Sequence, residues 1–206
     1  MTPIFIAFYT IGTLYEREAA RLRASLDALG LPHEIVGVPS RGDWATNASQ
    51  TAQFCRDMLA AHPCAPLVYV DADAVVRRFP SRLCDMAGVD IAAHWVNGDT
   101  FANGTVYFGG TTKAWLVANR YAELVDAYGG RHHNEQVLLE KAIIEIDPVV
   151  KRLPSAYCYI HDVDHKPLAE DEIVIEHLQA SRESRTAGEP LDNRRRRIAE
   201  LEKRRA

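Results

Sequence analysis

The four residues Leu67-Val68-Tyr69-Val70 constrain the fold of this chain more than any other feature. Consecutive apolar β-formers without a polar alternation describe a strand buried on both faces, and such strands belong to parallel sheets covered by helices on either side. The preceding segments supply what that arrangement needs. Residues Ile4 to Tyr9 form a second short apolar run, followed by a helical pattern through Leu14, Ala19, Leu22, Leu26 and Leu29 that stops at Gly30. Glu34 to Val38 reads as another strand, and Pro39 to Asp43 is a loop of turn formers. Asn47 or Ser49 can cap a helix through Phe54, Met58 and Leu59 to about Ala61. Three strands separated by two helices predict an α/β sheet with right-handed crossovers.

The alternation continues less regularly. Strands are expected at Asp90 to Trp95 and Thr105 to Phe108, and helices at Lys113 to Tyr128 and Glu135 to Ile146. Short strands at Val149 to Leu153 and Glu172 to Glu176 close the pattern. No internal repeat and no linker divides the chain, so residues 1–183 are expected to form one mixed, mainly parallel sheet flanked by helices. At 206 residues, 47% hydrophobic and 25% charged, the chain is neither fibrous nor disordered. No apolar run reaches the roughly 20 residues that span a bilayer, and MTPIFIAFYT lacks a basic region before its apolar stretch. The expectation is a soluble, cytoplasmic protein without membrane insertion. Cys55, Cys64, Cys84 and Cys158 stand far apart with no CxxC pair, which suggests neither a zinc cage nor a disulfide framework.

Charge is distributed unevenly. Residues 182–206 hold nine Lys/Arg against five Asp/Glu, leaving fifteen against twenty-three in the rest. Residues 184–206 read as a basic, polar tail, helical or partly disordered, with only Ile198 and Leu201 at apolar spacing. An acidic body that handles a phosphorylated substrate is expected to recruit a cation, because its own field repels anions.

The strongest local signal is Asp71-Ala72-Asp73, directly after the buried strand. Ligands in open α/β folds bind at the carboxyl ends of strands, and side chains two apart leave a strand on the same side. Both carboxylates can therefore converge on one hard cation, or one can take metal and the other a ribose hydroxyl. Two acids alone serve equally well as turn residues or helix caps.

The order and spacing of further groups add to this signal. FYTIGTLYEREAARLRASL, Trp44 and Asn47, PLVYVDADAVV, Asn103 to Phe108, Asn134 to Leu138, and His177 to Arg182 together resemble a small GT-A-fold glycosyltransferase of the nucleotide-diphospho-sugar transferase type, over residues 3 to 182. The resemblance implies a metal-dependent transfer from a nucleotide-diphosphate donor, a UDP-sugar, to a hydroxyl acceptor. It places Tyr9 and Thr10 at the nucleotide base. Asp71, Asp73 and His177 become ligands of Mn²⁺ or Mg²⁺ against the donor phosphates, with Asp71 also on the donor. Asn103 and Gly104 face the donor sugar, where Gly104 allows close approach to the backbone. Ser181 and Arg182 follow His177, with the Arg182 guanidinium gripping a phosphate. Glu135, as base or oxocarbenium stabiliser, and Gln136, as sugar hydrogen-bonder, are the implied catalytic pair.

Two departures from that pattern stand out. Gln50 and Gln53 occupy the helix where such enzymes often carry a phosphate-binding cation, leaving Arg17, Arg21 or Arg182 as substitutes, and Asn134 stands where an acid is usual. His132-His133 and the run His161-Asp162-Val163-Asp164-His165 read as loops in preference to a second metal site. A haloacid dehalogenase-like phosphatase would use Asp71 as nucleophile and Asp73 as acid/base, but carries a hydroxyl where Val75 stands. A nucleic-acid-binding module would use Arg194 to Arg197 with Lys203, Arg204 and Arg205. The last idea combines with the transferase if the acceptor is a modified base in phage DNA.

Overall fold

In a computed structural model, residues 1–96, 98, 100–128, 135–161, 167–185 and 188–203 are described. In chain order they form β1 (Ile4–Thr10), α1 (Tyr15–Ala28), β2 (His33–Val38), α2 (Trp44–Ala48), α3 (Gln50–Ala61), β3 (Leu67–Val70) and β4 (Ala74–Val76). Then follow α4 (Ser81–Cys84), β5 (Ile91–Val96), β6 (Thr100–Phe108), α5 (Thr112–Tyr128), α6 (Glu135–Ile146) and β7 (Val150–Arg152). A 3₁₀ turn at Ser155–Tyr157 leads to β8 (Ile175–His177), α7 (Arg182–Arg185) and α8 (Glu189–Lys203).

Six strands make one sheet in the order β2-β1-β3-β6-β5-β7. β1 pairs in parallel with β2 and β3, β6 runs antiparallel to β3 and β5, and β5 is parallel to β7. Both faces are buried, as the continuous apolar strands require. Along β1, Phe5 and Ala7 join one cluster with Leu22 and Leu26 of α1, while Ile6 and Phe8 join the other with α3, α5 and α6. β3 splits likewise, with Val68 and Val70 on the α1 side and Leu67 and Tyr69 opposite.

The sheet places its chemistry where the first parallel strands end, while departing from the sequence expectations in several places. The helix expected after Asn47 or Ser49 is α3, with Ser49 at its N-cap position though without a side-chain cap bond, and a short helix not expected, α2, precedes it, capped by Asp43, whose carboxylate accepts from Thr46 N at 2.8 Å. The strand expected from Thr105 starts at Thr100, and the one expected over Glu172 to Glu176 is only Ile175–His177, so His177 lies within it. β4 has no counterpart in the sequence reading. It pairs antiparallel with β8 in a separate two-stranded ribbon, Ala74 opposite His177 and Val75 opposite Glu176.

The tail expected at 184–206 is helical over Glu189–Lys203 and packed against the body. Leu201 and Ile198 lie with Val75 and Leu178, while Arg194 and Arg197 point inward as ion-pair partners of buried acids. Of the four consecutive arginines, Arg195 and Arg196 are exposed. The physical reason is the ordinary helical one: positions three apart share a face, and here that face carries Arg194, Arg197, Ile198 and Leu201 toward acids on α1 and β8. Among the described residues, no helix is long and apolar enough to cross a membrane.

Candidate functional site

Asp71 leaves the end of β3, and Asp73 sits one residue before β4, so the chain bends between two strands at the two acids. Each carboxylate is held. Tyr69 Oη donates to Asp71 Oδ1 at 2.9 Å, and Ala180 N donates to Asp73 Oδ2 at 2.6 Å. The ribbon brings His177 to them, its Nδ1 4.0 Å from Asp71 Oδ2 and 3.9 Å from Asp73 Oδ1, with Nε2 2.9 Å from the Thr105 hydroxyl. Asp71, Asp73 and His177 each offer a ligand atom within 4.8 Å of the others, a donor set of two carboxylates and an imidazole that suits a divalent cation.

The electrostatics of the cluster follow from crowding. Burial and the neighbouring Asp73 push the Asp71 carboxyl up to about 6, with His177 opposing. Asp73 moves the other way despite its burial, because His177 and the Ala180 amide stabilise its charge. Burial opposes a proton on His177, but Cys158, Asp73 and Asp71 outweigh it and hold the imidazole's titration well above the usual value. Two carboxylates and one imidazolium leave a local excess of one negative charge, and a cation seated among them would replace the imidazolium proton.

A bulge completes the arrangement. Between Ala93 and His94 of β5 the register on β6 jumps from Val106 to Ala102, so Asn103, Gly104 and Thr105 have no partner on β5; Gly104 lies against Asp71 and Thr105 meets His177. Gly104 O accepts from Asp71 N at 3.0 Å. A Cβ on Gly104 would lie 2.9 Å from His177 Cε1 and 3.1 Å from Asp71 Oδ2. The requirement for glycine there comes from two side chains of the cluster.

Asp71 and Asp73 border a cavity of about 430 Å³, within the range of small-molecule sites, while His177 and Gly104 lie behind them and not on its wall. Tyr9, Thr10, Asn103, Glu135, Gln136 and Ser181 line it with Asp71 and Asp73. Glu135 Oε2 is buried without a hydrogen-bond partner among the described residues. Burial and the charge of Asp71 push this carboxyl up to about 7, against a hydrogen bond from Asn103.

Arg182 lies elsewhere. Its guanidinium donates to Pro190 O at 3.2 Å and is absent from the cavity wall. Arg17 and Arg21 are engaged with Glu183, Glu202 and Glu18 on the outer side of α1, so neither reaches the cavity as a phosphate clamp. No lysine or arginine lines the cavity among the described residues. Asn134, His132, His133 and the stretch Asp162 to His165 lie outside the described residues.

Sequence reasoning missed Tyr15, Thr51, Tyr69 and Gln179 on the cavity wall. Trp44 Nε1 donates to Tyr15 Oη at 3.0 Å, which fixes an aromatic pair at the mouth. Burial, against that hydrogen bond, pushes the Tyr15 phenol up to about 12. Gln179 adopts φ 52°, a left-handed conformation between His177 and Ser181 that sequence periodicity does not signal. Tyr15 was hidden by its place in an ordinary amphipathic helix.

No protein-family profile and no curated protein sequence matches the chain. Solved structures do resemble it. A glycosyltransferase involved in the glycosylation of the major capsid of PBCV-1 superposes with a TM-score of 0.69 at 9% identity, covering 94% of this chain and 98% of that one. The apo form of the glycosyltransferase GlyE of Streptococcus pneumoniae TIGR4 gives 0.57 at 10% identity, over 86% of this chain and 54% of that one. The galactosyltransferase LgtC, solved with donor and acceptor sugar analogues, gives 0.53 at 11% identity, over 84% and 86%. What these proteins share with the chain is the fold, which is that of GT-A glycosyltransferases.

Proposed function

We propose that the chain is a metal-dependent glycosyltransferase that moves a sugar from a nucleoside-diphosphate donor, a UDP-sugar, to a hydroxyl acceptor. The observation that carries this reading is the composition of the cavity wall: Asp71, Asp73 and Glu135 face one space, and no described wall residue is a lysine or arginine. A diphosphate enters such a field only with a cation between it and the carboxylates. Asp71, Asp73 and His177 fit that cation, and the imidazole favours Mn²⁺ over Mg²⁺. When bound, the metal supplies Lewis-acid stabilisation of the charge that grows on the departing nucleoside diphosphate.

The protein's own groups divide the remaining work. Tyr9 offers ring area for the base, with Thr10 beside it and Ser181 at the far wall. Asn103 and Gln136 present amides to the sugar, and the Trp44–Tyr15 pair frames the mouth through which an acceptor approaches. Glu135, with an unpartnered oxygen and a carboxyl raised to about 7, is suited to accept a proton from the acceptor hydroxyl or to stabilise positive charge at the anomeric carbon.

The phosphatase alternative loses ground because Val75, where that family needs a hydroxyl, is packed against α8. Among the described residues of α8, a DNA acceptor would meet Arg195, Arg196 and Lys203 as outward cations, since Arg194 and Arg197 are buried in ion pairs, and Arg204 and Arg205 lie outside the described residues. Calorimetric titration with UDP, with Mn²⁺ and again with a chelator, tests the donor reading. Binding that needs the metal and vanishes in Asp73→Asn supports it; metal-independent binding, or none to UDP, refutes it.

A further inference from the structure

We infer that the carboxy-terminal helix α8 belongs to the metal site: Arg197, acting through Glu176, fixes the β4–β8 ribbon on which Asp73 and His177 meet. This rests on reading Asp71, Asp73 and His177 as metal ligands.

The ribbon has two faces because adjacent strand residues point oppositely. His177 turns toward Asp71, Asp73 and Thr105, while its neighbour Glu176 turns down toward α8. The Glu176 carboxylate is fully buried, and Arg197 grips it with both arms, Nε to Oε1 at 2.6 Å and Nη2 to Oε2 at 2.9 Å. Arg77, just past the end of β4, donates to the same carboxylate at 3.0 Å, and both arginines reach Glu170. One buried acid thus ties together the strand that follows Asp73, the strand that carries His177 and the helix beneath.

Val75, which pairs with Glu176 across the ribbon, packs on the same side against Leu201 and Ile198. The ribbon is only three residues wide on each strand and lies outside the six-stranded sheet. Its ladder is short, with Tyr159 bridging the other edge of β8 through the backbone, so the side-chain support beneath it bears on the separation of the two ligand side chains. Arg197 and Glu176 are accordingly positioning residues that touch neither cation nor substrate.

The test measures Mn²⁺ affinity of the full chain by calorimetry, well below each variant's melting temperature, with melts recorded separately in chelator. Arg197→Met strands a buried carboxylate, so the paired variant Glu176→Gln/Arg197→Met, which removes the stranded charge, is measured beside it. Arg195→Ala, an exposed change on the same helix, is the control. The expected result is Mn²⁺ affinity weakened about 10-fold or more in the paired variant, the range of lost outer-sphere support, with the control unchanged. A lower melting temperature with unchanged Mn²⁺ affinity would assign the network to stability alone and overturn the inference. A wild-type chain that binds no Mn²⁺ would overturn the metal reading and this inference with it, whereas wild-type binding retained in the paired variant would overturn the inference alone.

Discussion

His177 Nδ1 lies 3.9 Å from Asp73 Oδ1 because β8 and β4 pair with Ala74 opposite His177, which carries the imidazole to the residue just before that strand. The two side chains come from distant parts of the sequence, and Leu178 N and Ala180 N, just past β8, also donate to Asp73. Replacing Asp73 by Asn keeps an oxygen to accept from Ala180 N but removes the charge that a divalent cation needs. Asp73→Asn is expected to lower Mn²⁺ affinity by at least about 100-fold, beyond the effect of losing outer-sphere support, with little change in melting temperature. Calorimetric titration with Mn²⁺ checks this, and undiminished affinity would remove Asp73 from the ligand set.

Gly104→Ala should act on the same cluster from above. Its Cβ would stand 2.9 Å from His177 Cε1, a separation that real Cβ atoms do not tolerate, so the imidazole must shift. The expected outcome is Mn²⁺ binding weakened by about 10-fold, comparable with disturbing ligand orientation. The proton chemical shifts of His177 should move with it; an unchanged histidine spectrum and affinity would show that the bulge gives way in its place.

Glu135 makes stability depend on pH in a definite direction. Its carboxyl rises from an ordinary 4.5 to about 7, so the folded chain holds this proton more tightly than the unfolded one. Between those two values the folded state binds more protons, and stability falls as pH rises through the window. Glu135→Gln cannot ionise there. At pH 8 in chelator the variant should be more stable than the wild type by up to about 3 kcal/mol, and near pH 4 the difference should disappear. Urea unfolding at the two pH values decides it, and a constant difference would mean that burial does not disfavour the Glu135 charge.

Arg194→Met should destabilise the fold without touching the cavity wall. Arg194 Nη2 donates to Glu18 Oε1 at 2.8 Å, and both side chains are fully enclosed. Removing one member of a buried pair strands the other charge, at a cost of about 3 kcal/mol, the low end of the usual range because Arg21 stays on Glu18 at 2.5 Å. The midpoint of a urea transition reports the change. A variant as stable as the wild type would show that the two Arg194 nitrogens without a hydrogen-bond partner among the described residues already offset what the ion pair contributes.

The parts of the fold that were legible are those whose neighbours are close in sequence or whose burial is two-sided. Leu67–Val70 announced a central strand because every residue is apolar, and Glu135–Ile146 announced a helix through its periodic Leu138, Leu139, Ala142 and Ile143. The two acids were legible because they follow that strand directly. β4 was not, since Ala74-Val75-Val76 is too short for a periodic signal and its partner lies near the other end of the chain. The burial of Arg194 and Arg197 was equally hidden. A run of four arginines reads as solvent-seeking until Glu18 and Glu176 are seen beneath it, and neither acid differs in sequence from an exposed one.

The ribbon also imposes an order on synthesis. A nascent chain emerging from the ribosome has β1, β2 and β3 in hand, and with them Asp71 and Asp73, long before the segment that carries His177 is made. Asp71 and Asp73 therefore stand without His177 until β8 has been made, and α8, which carries Arg197, follows it. If the cluster holds a cation as proposed, its full donor set exists only in a chain that has been made past β8.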